Sequence, residues 1–379
     1  MKHMNLEQHL IEIFQEFHQF PELSNEEYET TARIRRILEE AGIEILELPL
    51  KTGLVARIEG KQKEPVIALR CDIDALPVCE ETELSYKSKN AGKMHACGHD
   101  FHTTAMIGTA LRLKEKQQDL NGTVKILFQP AEESSNGAVH IINTDILSDV
   151  KAIFGVHSAP DLAVGEVGII VGPATASVDR FEIEVTGVGA HAAHPDLGID
   201  PIVISAHIIT ALQTIVSRNL DPFDTALISV TNLHSGSTWN VIPPTAYMEG
   251  TVRTLNAKTR EFIPSRMRCI AEQVAAAFGA KAKLNWHPST PATNNSKVWA
   301  EFAKQIAIEK SLQIAPYSVS LIGEDFAAYQ EKIEGVFLFV GTGKNFPLHH
   351  PKFYVDTNAI IGSVEYFVHL AEQSMNRLA

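Results

Sequence analysis

A short segment at residues 92–102, "GKMHACGHDFH", is rich in side chains that bind metals. It places His95, Cys97, His99 and His102 within eight residues, with Asp100 among them. Such a cluster can arise by chance, can pair a nucleophilic cysteine with a histidine base, or can bind a metal ion. Residues elsewhere in the chain favour the metal site.

Acidic residues and histidines also follow the apolar, strand-like runs of the chain. The runs "IALR", "ILF", "IFGV" and "GVFLFVG" lead in turn to Asp72 and Asp74, to Glu132 and Glu133, to His157, and to His349 and His350. In an open α/β sheet, sites form beyond the carboxyl ends of the strands. Four strands are therefore expected to direct these side chains into one crevice. Cysteine, histidine and glutamate together suit zinc, cobalt or nickel better than magnesium or calcium.

The adjacent carboxylates of Glu132 and Glu133 suggest a division of labour. One carboxylate can ligate a metal ion while the other stays free as the proton carrier for a metal-activated water. The sequence by itself leaves open which of the two does which.

The order of the elements predicts the fold that positions these residues. Residues 5–41 are predicted to form two helices, the second with a capping box of Ser24 and Glu27. From about residue 43, continuous apolar runs alternate with helical patterns, which indicates a mostly parallel sheet flanked by helices. This α/β domain is expected to span residues 1–178 and 289–379.

The middle of the chain, residues 179–288, has a different pattern. Half-exposed strands and two helices follow the order β-α-β-β-α-β, which is ferredoxin-like. We expect an inserted α+β domain that serves as a lid and for dimerisation. Its segment "TALISVTN" resembles an edge strand, and an exposed edge can pair with a second copy of the chain.

Composition excludes several classes of function. A net charge of −13 over 379 residues argues against a nucleic-acid partner and against anionic membrane surfaces. The apolar stretch at 201–216 is interrupted by polar residues, so no membrane partner is expected. The cysteines have no framework spacing, which favours a cytoplasmic, disulfide-free enzyme in which Cys71, Cys79 and Cys269 pack in the interior.

Eight motifs together resemble one protein family. They are "CDIDALP", "MHACGHD", "FQPAEE", "GAHAAHP", "TWNVIPP", "GTVRT", "GEDF" and "LHHPKF", in this order along almost the whole chain. The sequence resembles the amidohydrolase branch of the dinuclear-metal aminoacylase/carboxypeptidase family. That branch includes hippurate hydrolases, N-acyl-L-amino acid amidohydrolases, N-acetyl-diaminopimelate deacetylases and plant auxin-conjugate hydrolases.

The resemblance implies two divalent transition-metal ions per subunit, of zinc, manganese, nickel or cobalt. Cys97 would bridge the two ions. His99 and His157 would complete the first site, and Glu133 and His349 the second. Each ion would then have three protein ligands, which is typical of catalytic rather than structural sites.

The remaining roles are also implied by the resemblance. Glu132 would be the general base, and Asp74 would orient a ligand histidine. His191, in the inserted domain, would reach the active site of the partner subunit of a homodimer and polarise the scissile carbonyl. Asn240 and Arg253 would hold the substrate.

The expected function is metal-dependent hydrolysis of the amide bond of N-acyl-L-amino acids. A dipeptidase or carboxypeptidase of the same fold is the alternative, and a binding protein that has lost activity is a third possibility. The roles of His102, His194 and His350 stay open. Arg253 has an alternative role as a surface arginine paired with Glu249 or Glu182.

Overall fold

The computed structural model describes residues 5–134 and 137–379. The α-helices in this part of the chain are α1 (Leu6–Gln19), α2 (Tyr28–Glu40), α3 (His99–Glu115), α4 (Gly137–Ile142), α5 (Pro201–Arg218), α6 (Ala257–Ala277), α7 (Lys297–Glu309), α8 (Ala327–Gln330) and α9 (Asn358–Leu378). Short 3₁₀ turns lie at Gln117–Asp119 and Pro195–Leu197. The two helices predicted within residues 5–41 are confirmed as α1 and α2.

The strands alternate with these helices in the first part of the chain and again at its end. In chain order they are β1 (Glu44–Leu46), β2 (Leu54–Glu59), β3 (Val66–Asp72), β4 (Thr123–Gln129), β5 (Val150–Ala159), β6 (Glu166–Gly168), β7 (Gly172–Pro173), β8 (Asp179–Thr186), β9 (Ala190–His191), β10 (Ala226–Ser235), β11 (Val241–Ile242), β12 (Thr245–Thr254), β13 (Lys281–Pro288), β14 (Asn294–Asn295), β15 (Gln313–Ala315) and β16 (Gly335–Gly341).

The chain divides into two compact units. Unit 1 comprises Met1–Ala174, Thr293–Val319 and Asp325–Ala379, and unit 2 comprises Thr175–Ala292 and Ser320–Glu324. The short second piece of unit 2 was not assigned to the inserted segment from the sequence. The roles of catalytic domain and of lid and dimerisation domain stay predictions.

Unit 1 is built on an eight-stranded sheet with the order β1-β2-β4-β3-β5-β16-β6-β15. The central pairs β4–β3, β3–β5 and β5–β16 are parallel, whereas β1–β2, β2–β4 and β16–β6 are antiparallel. Every residue of β3, β4 and β16 is buried, because helices and loops cover both faces of the sheet. The predicted α/β class with a mostly parallel sheet is confirmed.

Unit 2 contains a four-stranded antiparallel sheet with the order β10-β12-β8-β13. Burial alternates along β12, and the buried side chains pack with α5 and α6 in a separate core. The predicted β-α-β-β-α-β order is therefore confirmed, with β10 at one edge. Helix α5 is long and apolar enough to cross a membrane, but Ile204, Ile208, Leu212 and Ile215 pack in the core of unit 2.

Two local predictions are wrong. Helix α2 begins at Tyr28 without a side-chain cap, and Ser24 and Glu27 form no capping box because their side chains bind elsewhere in unit 1. All four cysteines are free, and Cys71 is buried as predicted, but Cys79 and Cys269 are exposed instead of packed in the interior.

Candidate metal centre

Parallel pairing brings the predicted site residues to one edge of the unit 1 sheet. Strand β3 ends at Asp72, and β4 leads into the turn that carries Glu132 and Glu133. His157 lies near the end of β5, and its partner in the register is Phe339 of β16, the strand that precedes His349. The convergence expected from the sequence thus follows from the strand order β4-β3-β5-β16.

Five side chains form two groups that share one cysteine. The ligand atoms of Cys97, His99 and His157 all lie within 4.8 Å of one another, and so do those of Cys97, Glu133 and His349. Cys97 Sγ is 3.5 Å from His157 Nε2. Glu133 Oε1 lies 3.8 Å from His99 Nε2 and 3.5 Å from His349 Nε2. The structure brings these residues together, and their role as ligands stays a prediction.

The donor atoms of this cluster fit a divalent transition-metal pair. Nε2 of His99 and Oε1 of Glu133 are buried and have no hydrogen-bond partner within residues 5–134 and 137–379. Buried polar atoms without partners are uncommon, and cations bound between them would satisfy both. Burial raises the pKa of the Cys97 thiol well above its ordinary value, so ionisation would accompany the arrival of a cation.

A glycine allows Cys97 and His99 to face the same point. Gly98, between them, has φ +85°, and a Cβ built there would lie 2.7 Å from Ser158 Oγ. A side chain at this position is excluded by both the backbone conformation and the space. His349 also has a positive φ of 64°, and its N–H donates to the carbonyl of Ala96 at 2.8 Å.

The two buried histidines are oriented by hydrogen bonds at their other ring nitrogen. Nδ1 of His157 donates to the carbonyl of Ser158 at 2.8 Å, and Nδ1 of His99 faces Asp74 Oδ1 at 3.3 Å. Nε2 of each ring is thereby left as the atom that can bind a metal. Asp74 thus lies beside His99, and its role in orienting a ligand histidine stays a prediction.

The hydrogen bonds of His102, whose role the sequence left open, define its tautomer. The N–H of Ser158 donates to His102 Nε2 at 2.7 Å, so Nδ1 carries the proton and donates to Asp72 Oδ1 at 2.6 Å. Both ring nitrogens therefore have protein partners, although His102 also forms a group of potential metal ligands with Asp72 and His99. The other Asp72 oxygen accepts from Arg70, which also binds Asp325.

Sequence reasoning missed Arg70 as part of the site. It is fully buried, and its guanidinium binds Asp72 at 2.8 Å and Asp325 at 2.7 Å. The available signal was a charged residue at the end of the apolar run "IALR", since a buried cation requires buried partners.

The pKa values in the cluster follow from burial and from these contacts. Burial lowers the pKa of His157 to about 3, which keeps the ring neutral as a ligand must be. Burial opposes protonation of His99, but Asp72 and Asp74 outweigh it and raise the pKa of that ring in the metal-free chain. Burial alone would raise the pKa of Asp74, but hydrogen bonds with His99 and Ser24 hold it below its ordinary value.

His191 lies on a two-stranded ribbon in unit 2, and Asn240 directly precedes the second strand of this ribbon. Strands β9 and β11 pair His191 with Val241, and the N–H of Ala192 donates to the carbonyl of Asn240 at 3.0 Å. Nδ1 of His191 accepts from the N–H of Ala193 at 3.0 Å. With Nδ1 as the acceptor, a neutral ring at this exposed position has its proton on Nε2.

Arg253 lies half-buried on β12, on the opposite face from the buried Val252 and Thr254. The proposed pairing with Glu249 or Glu182 is wrong, because both carboxylates bind Arg180 instead. Among the residues that the structure describes, Arg253 has no hydrogen bond or ion pair.

His194 and His350, which the sequence left open, have local contacts. The ring of His194 lies 5.8 Å from that of His191, centroid to centroid, in unit 2. In unit 1, His350 stacks on Phe346 at 4.6 Å, and its Nδ1 accepts from the N–H of Lys352 at 3.0 Å. Neither ring belongs to the groups of potential ligands found within residues 5–134 and 137–379.

Comparison of the sequence with known proteins identifies the family of this chain. Residues 68–373 match the model of peptidase family M20/M25/M40. The chain is 48% identical over 363 residues to N-acetylcysteine deacetylase of Bacillus subtilis, covering 96% of each chain. It is 36% identical over 368 residues to thermostable carboxypeptidase 1 of Saccharolobus solfataricus, covering 94% of this chain and 92% of that one.

The fold also matches solved structures. The YXEP protein of Bacillus subtilis, described as a dinuclear metal-binding peptidase of the M20 family, superposes with a TM-score of 0.89 at 44% identity. The match covers 98% of this chain and 99% of that one.

Proposed function

The chain belongs to peptidase family M20/M25/M40 and is a metal-dependent amidohydrolase of that family, and we propose that it removes the acyl group from N-acyl-L-amino acids. The observation that carries the proposal is the pair of potential ligand groups that share Cys97. Their histidines are already oriented by Asp74 and by Ser158, so little rearrangement is needed to bind two ions.

We assign the first ion to Cys97, His99 and His157, and the second to Cys97, Glu133 and His349. Bound zinc, manganese, nickel or cobalt would polarise the amide carbonyl and acidify the attacking water. The set of ligand side chains excludes none of these four metals, because thiolate, imidazole and carboxylate groups can bind each of them.

Glu132 is the proposed general base. Its side chain is 8% exposed, and its backbone N–H donates to Asp74 Oδ1 at 3.1 Å, beside the ligand Glu133. The carboxylate accepts a proton from the attacking water and returns it to the leaving nitrogen, so a free amino acid and a carboxylic acid are released.

Residues of unit 2 are proposed to bind the substrate. His191 donates its Nε2–H to the scissile carbonyl oxygen as negative charge develops there. Arg253 binds the α-carboxylate with its planar guanidinium, which lysine cannot match in geometry, and Asn240 donates its side-chain amide. Among the described residues Arg253 makes no hydrogen bond or close ion pair, which supports this role.

A homodimer through unit 2 is part of the proposal, with His191 acting in the site of the partner subunit. Strand β10 is an edge strand of ten residues, Ala226–Ser235, and nine of the ten, among them the apolar Leu233, are partly buried or exposed. An open edge of this length is suited to strand pairing between copies.

The alternative is carboxypeptidase or dipeptidase activity, which the name of the Saccharolobus relative favours. Both reactions require an α-carboxylate beside the scissile amide, so Arg253 does not separate them. A dipeptide also has a free amino group, which requires an acidic or carbonyl partner that an acyl group does not.

One assay separates these candidates. Purified protein, stripped with a chelator and reloaded singly with Zn, Mn, Co or Ni, is incubated with N-acetyl and N-benzoyl amino acids and with matching dipeptides and C-terminally extended peptides. We expect metal-dependent release of free amino acid from the N-acyl substrates. Release from the peptides alone would select the alternative, and no release with any metal would support a binding protein.

A further inference from the structure

Three successive backbone N–H groups of the turn that carries Glu132 are held by two buried carboxylates. The N–H of Ala131 donates to Glu27 Oε1 at 2.8 Å. The N–H groups of Glu132 and Glu133 donate to the two oxygens of Asp74, at 3.1 and 3.0 Å. The turn is thus fixed from outside, by side chains of other segments.

Glu27 is well suited to fix a backbone position. It is completely buried, and its Oε1 also accepts from the N–H of Asn25 at 2.9 Å. Its Oε2 accepts from the hydroxyl of Thr52 at 2.7 Å. With both oxygens occupied inside unit 1, the carboxylate has a single orientation, and the Ala131 N–H is fixed with it.

The same segment also holds the second carboxylate. The hydroxyl of Ser24 donates to Asp74 Oδ2 at 2.6 Å, the oxygen that receives the Glu133 N–H. Residues 24–27, which the sequence suggested as a helix cap, therefore include one carboxylate that holds the turn, Glu27. They also contact the other carboxylate, Asp74.

The turn needs such support because of its backbone conformation. Ala131 has φ 58°, a left-handed conformation that residues with a Cβ rarely adopt. Conformations of this kind persist only where surrounding contacts impose them. Ala131 directly precedes Glu132. The contact that holds Ala131 therefore also affects the position of the proposed base.

We propose that Glu27 is a positioning residue of the catalytic site, which acts through the Ala131 N–H to hold the carboxylate of Glu132 in register for proton transfer. The inference rests on the proposed function for its effect on rate, but its structural part does not. Glu27 acts by hydrogen-bond geometry and not by charge, because its role is to accept from three donors.

This mechanism predicts different effects for two substitutions of Glu27. In Glu27→Gln, the amide oxygen can accept from Asn25 and Ala131, and the amide N–H₂ can donate to Thr52 after its hydroxyl rotates, so every contact is retained. Glu27→Ala removes all of them. Glu22→Ala is the matched control, because Glu22 accepts from the N–H groups of Glu29 and Thr30 in the same region without contacting the turn.

Each variant, reloaded with metal, is assayed with the best N-acyl amino acid, and metal content and Tm are measured in parallel. We expect Glu27→Ala to lower kcat about 10- to 100-fold with a smaller change in KM, as misplacement of a catalytic group does. Glu27→Gln should recover most of kcat. Glu22→Ala should lower Tm and leave kcat per folded molecule unchanged.

Hydrogen exchange on the metal-free protein tests positioning without activity. Exchange of the Ala131 amide should be about tenfold or more faster in Glu27→Ala than in wild type and near wild type in Glu27→Gln. If Glu27→Ala does not fold, Thr52→Val, which removes one donor to Glu27, should lower kcat several-fold and speed the same exchange.

The outcomes that would overturn the proposal are distinct. Loss of kcat in both Glu27 variants would show that charge is required, and unchanged kcat and exchange in Glu27→Ala would show that the turn holds itself. An equal loss of kcat in Glu22→Ala would make the effect one of general stability. If no variant, wild type included, hydrolyses an N-acyl amino acid, the proposed function fails, whereas the exchange result still decides the role of Glu27.

Discussion

The two units differ in how firmly they hold their candidate functional residues. In unit 1, His99 and His157 are buried, and each is fixed by a hydrogen bond at the ring nitrogen that does not face the cluster. In unit 2, His191 is exposed with one backbone contact, and Arg253 has no hydrogen bond or ion pair among the described residues. One set is organised by the fold, and the other is left with free hydrogen-bonding capacity.

This contrast follows from what each set is proposed to bind. A metal ion needs ligands fixed within a few tenths of an ångström, so orienting contacts must exist before it binds. A substrate carboxylate or carbonyl is bound and released in each turnover. Donors for it must therefore be available when the substrate is absent, and a strong internal partner would compete with it.

The largest effect should come from unit 1, where Glu132→Gln removes only the proton acceptor. We expect the rate to fall roughly 10²- to 10⁴-fold while both ions are retained. Kinetics combined with metal analysis checks this. Glu133→Gln is the paired variant and should weaken one metal site instead. The reverse pattern would show that the two glutamates have exchanged roles.

In unit 2, Arg253→Ala should lower kcat/KM. The loss of transition-state stabilisation should be about 2–5 kcal/mol, because the bound α-carboxylate of the substrate loses its charged partner. Metal content should not change. Arg180→Ala is the matched control, since Arg180 lies on the neighbouring strand but is already paired with Glu182 and Glu249.

Substrate analogues sharpen the same prediction. Substrates with an amidated carboxylate should be poor for wild type, and Arg253→Ala should no longer discriminate against them. If the variant keeps the full preference for the free acid, the carboxylate is bound elsewhere and unit 2 has another role.

A mixing experiment tests whether His191 acts between subunits. Inactive Glu132→Gln and inactive His191→Ala chains are mixed under conditions that exchange subunits. Each heterodimer then has one complete site, so random exchange should restore about a quarter of the wild-type rate in a two-fold symmetric dimer. Proven heterodimers without activity would remove the role in the partner's site.

The sequence was sufficient for those parts of the site that depend on residue type at a strand end. Glu132, Glu133 and His157 follow apolar runs, and parallel pairing dictates that such ends meet. It was insufficient where a side chain has two plausible local partners. Ser24 and Glu27 have the spacing of a capping box, but Asp74 and Ala131, which are distant in sequence, bind them instead.

The same limit explains Arg253. Its neighbours on the sheet face include acids, but whether Arg180 or Arg253 binds them depends on strand register, which the sequence pattern does not determine. Long-range hydrogen bonds such as those of Arg70 likewise depend on tertiary packing. Their only local sign in the sequence is a charged residue at the end of an apolar run.

The smallest expected effect concerns stability, and it arises from a buried histidine at the end of α1. His18 is 2% exposed, and its ring nitrogens face Asp100 at 2.6 Å and Glu80 at 3.2 Å. Glu80 is thus a partner of a buried cation. Burial favours the neutral ring, but the two carboxylates outweigh it and raise the pKa of His18 to about 9.

A pKa raised on folding fixes the sign of the pH dependence. Below pH 6.5 the ring is protonated in the folded and the unfolded chain, and the whole stabilisation is present. It is lost as pH rises from 6.5 through about 9, where the folded protein also releases the proton. The pKa change corresponds to at most about 3 kcal/mol. His18→Gln should therefore flatten the decline of Tm between pH 6.5 and 9, whereas substitution of the exposed His234 should not. An unchanged slope in His18→Gln would mean that the ring is neutral in the folded protein. Asp100 and Glu80 would then orient the His18 ring without stabilising the fold through its charge.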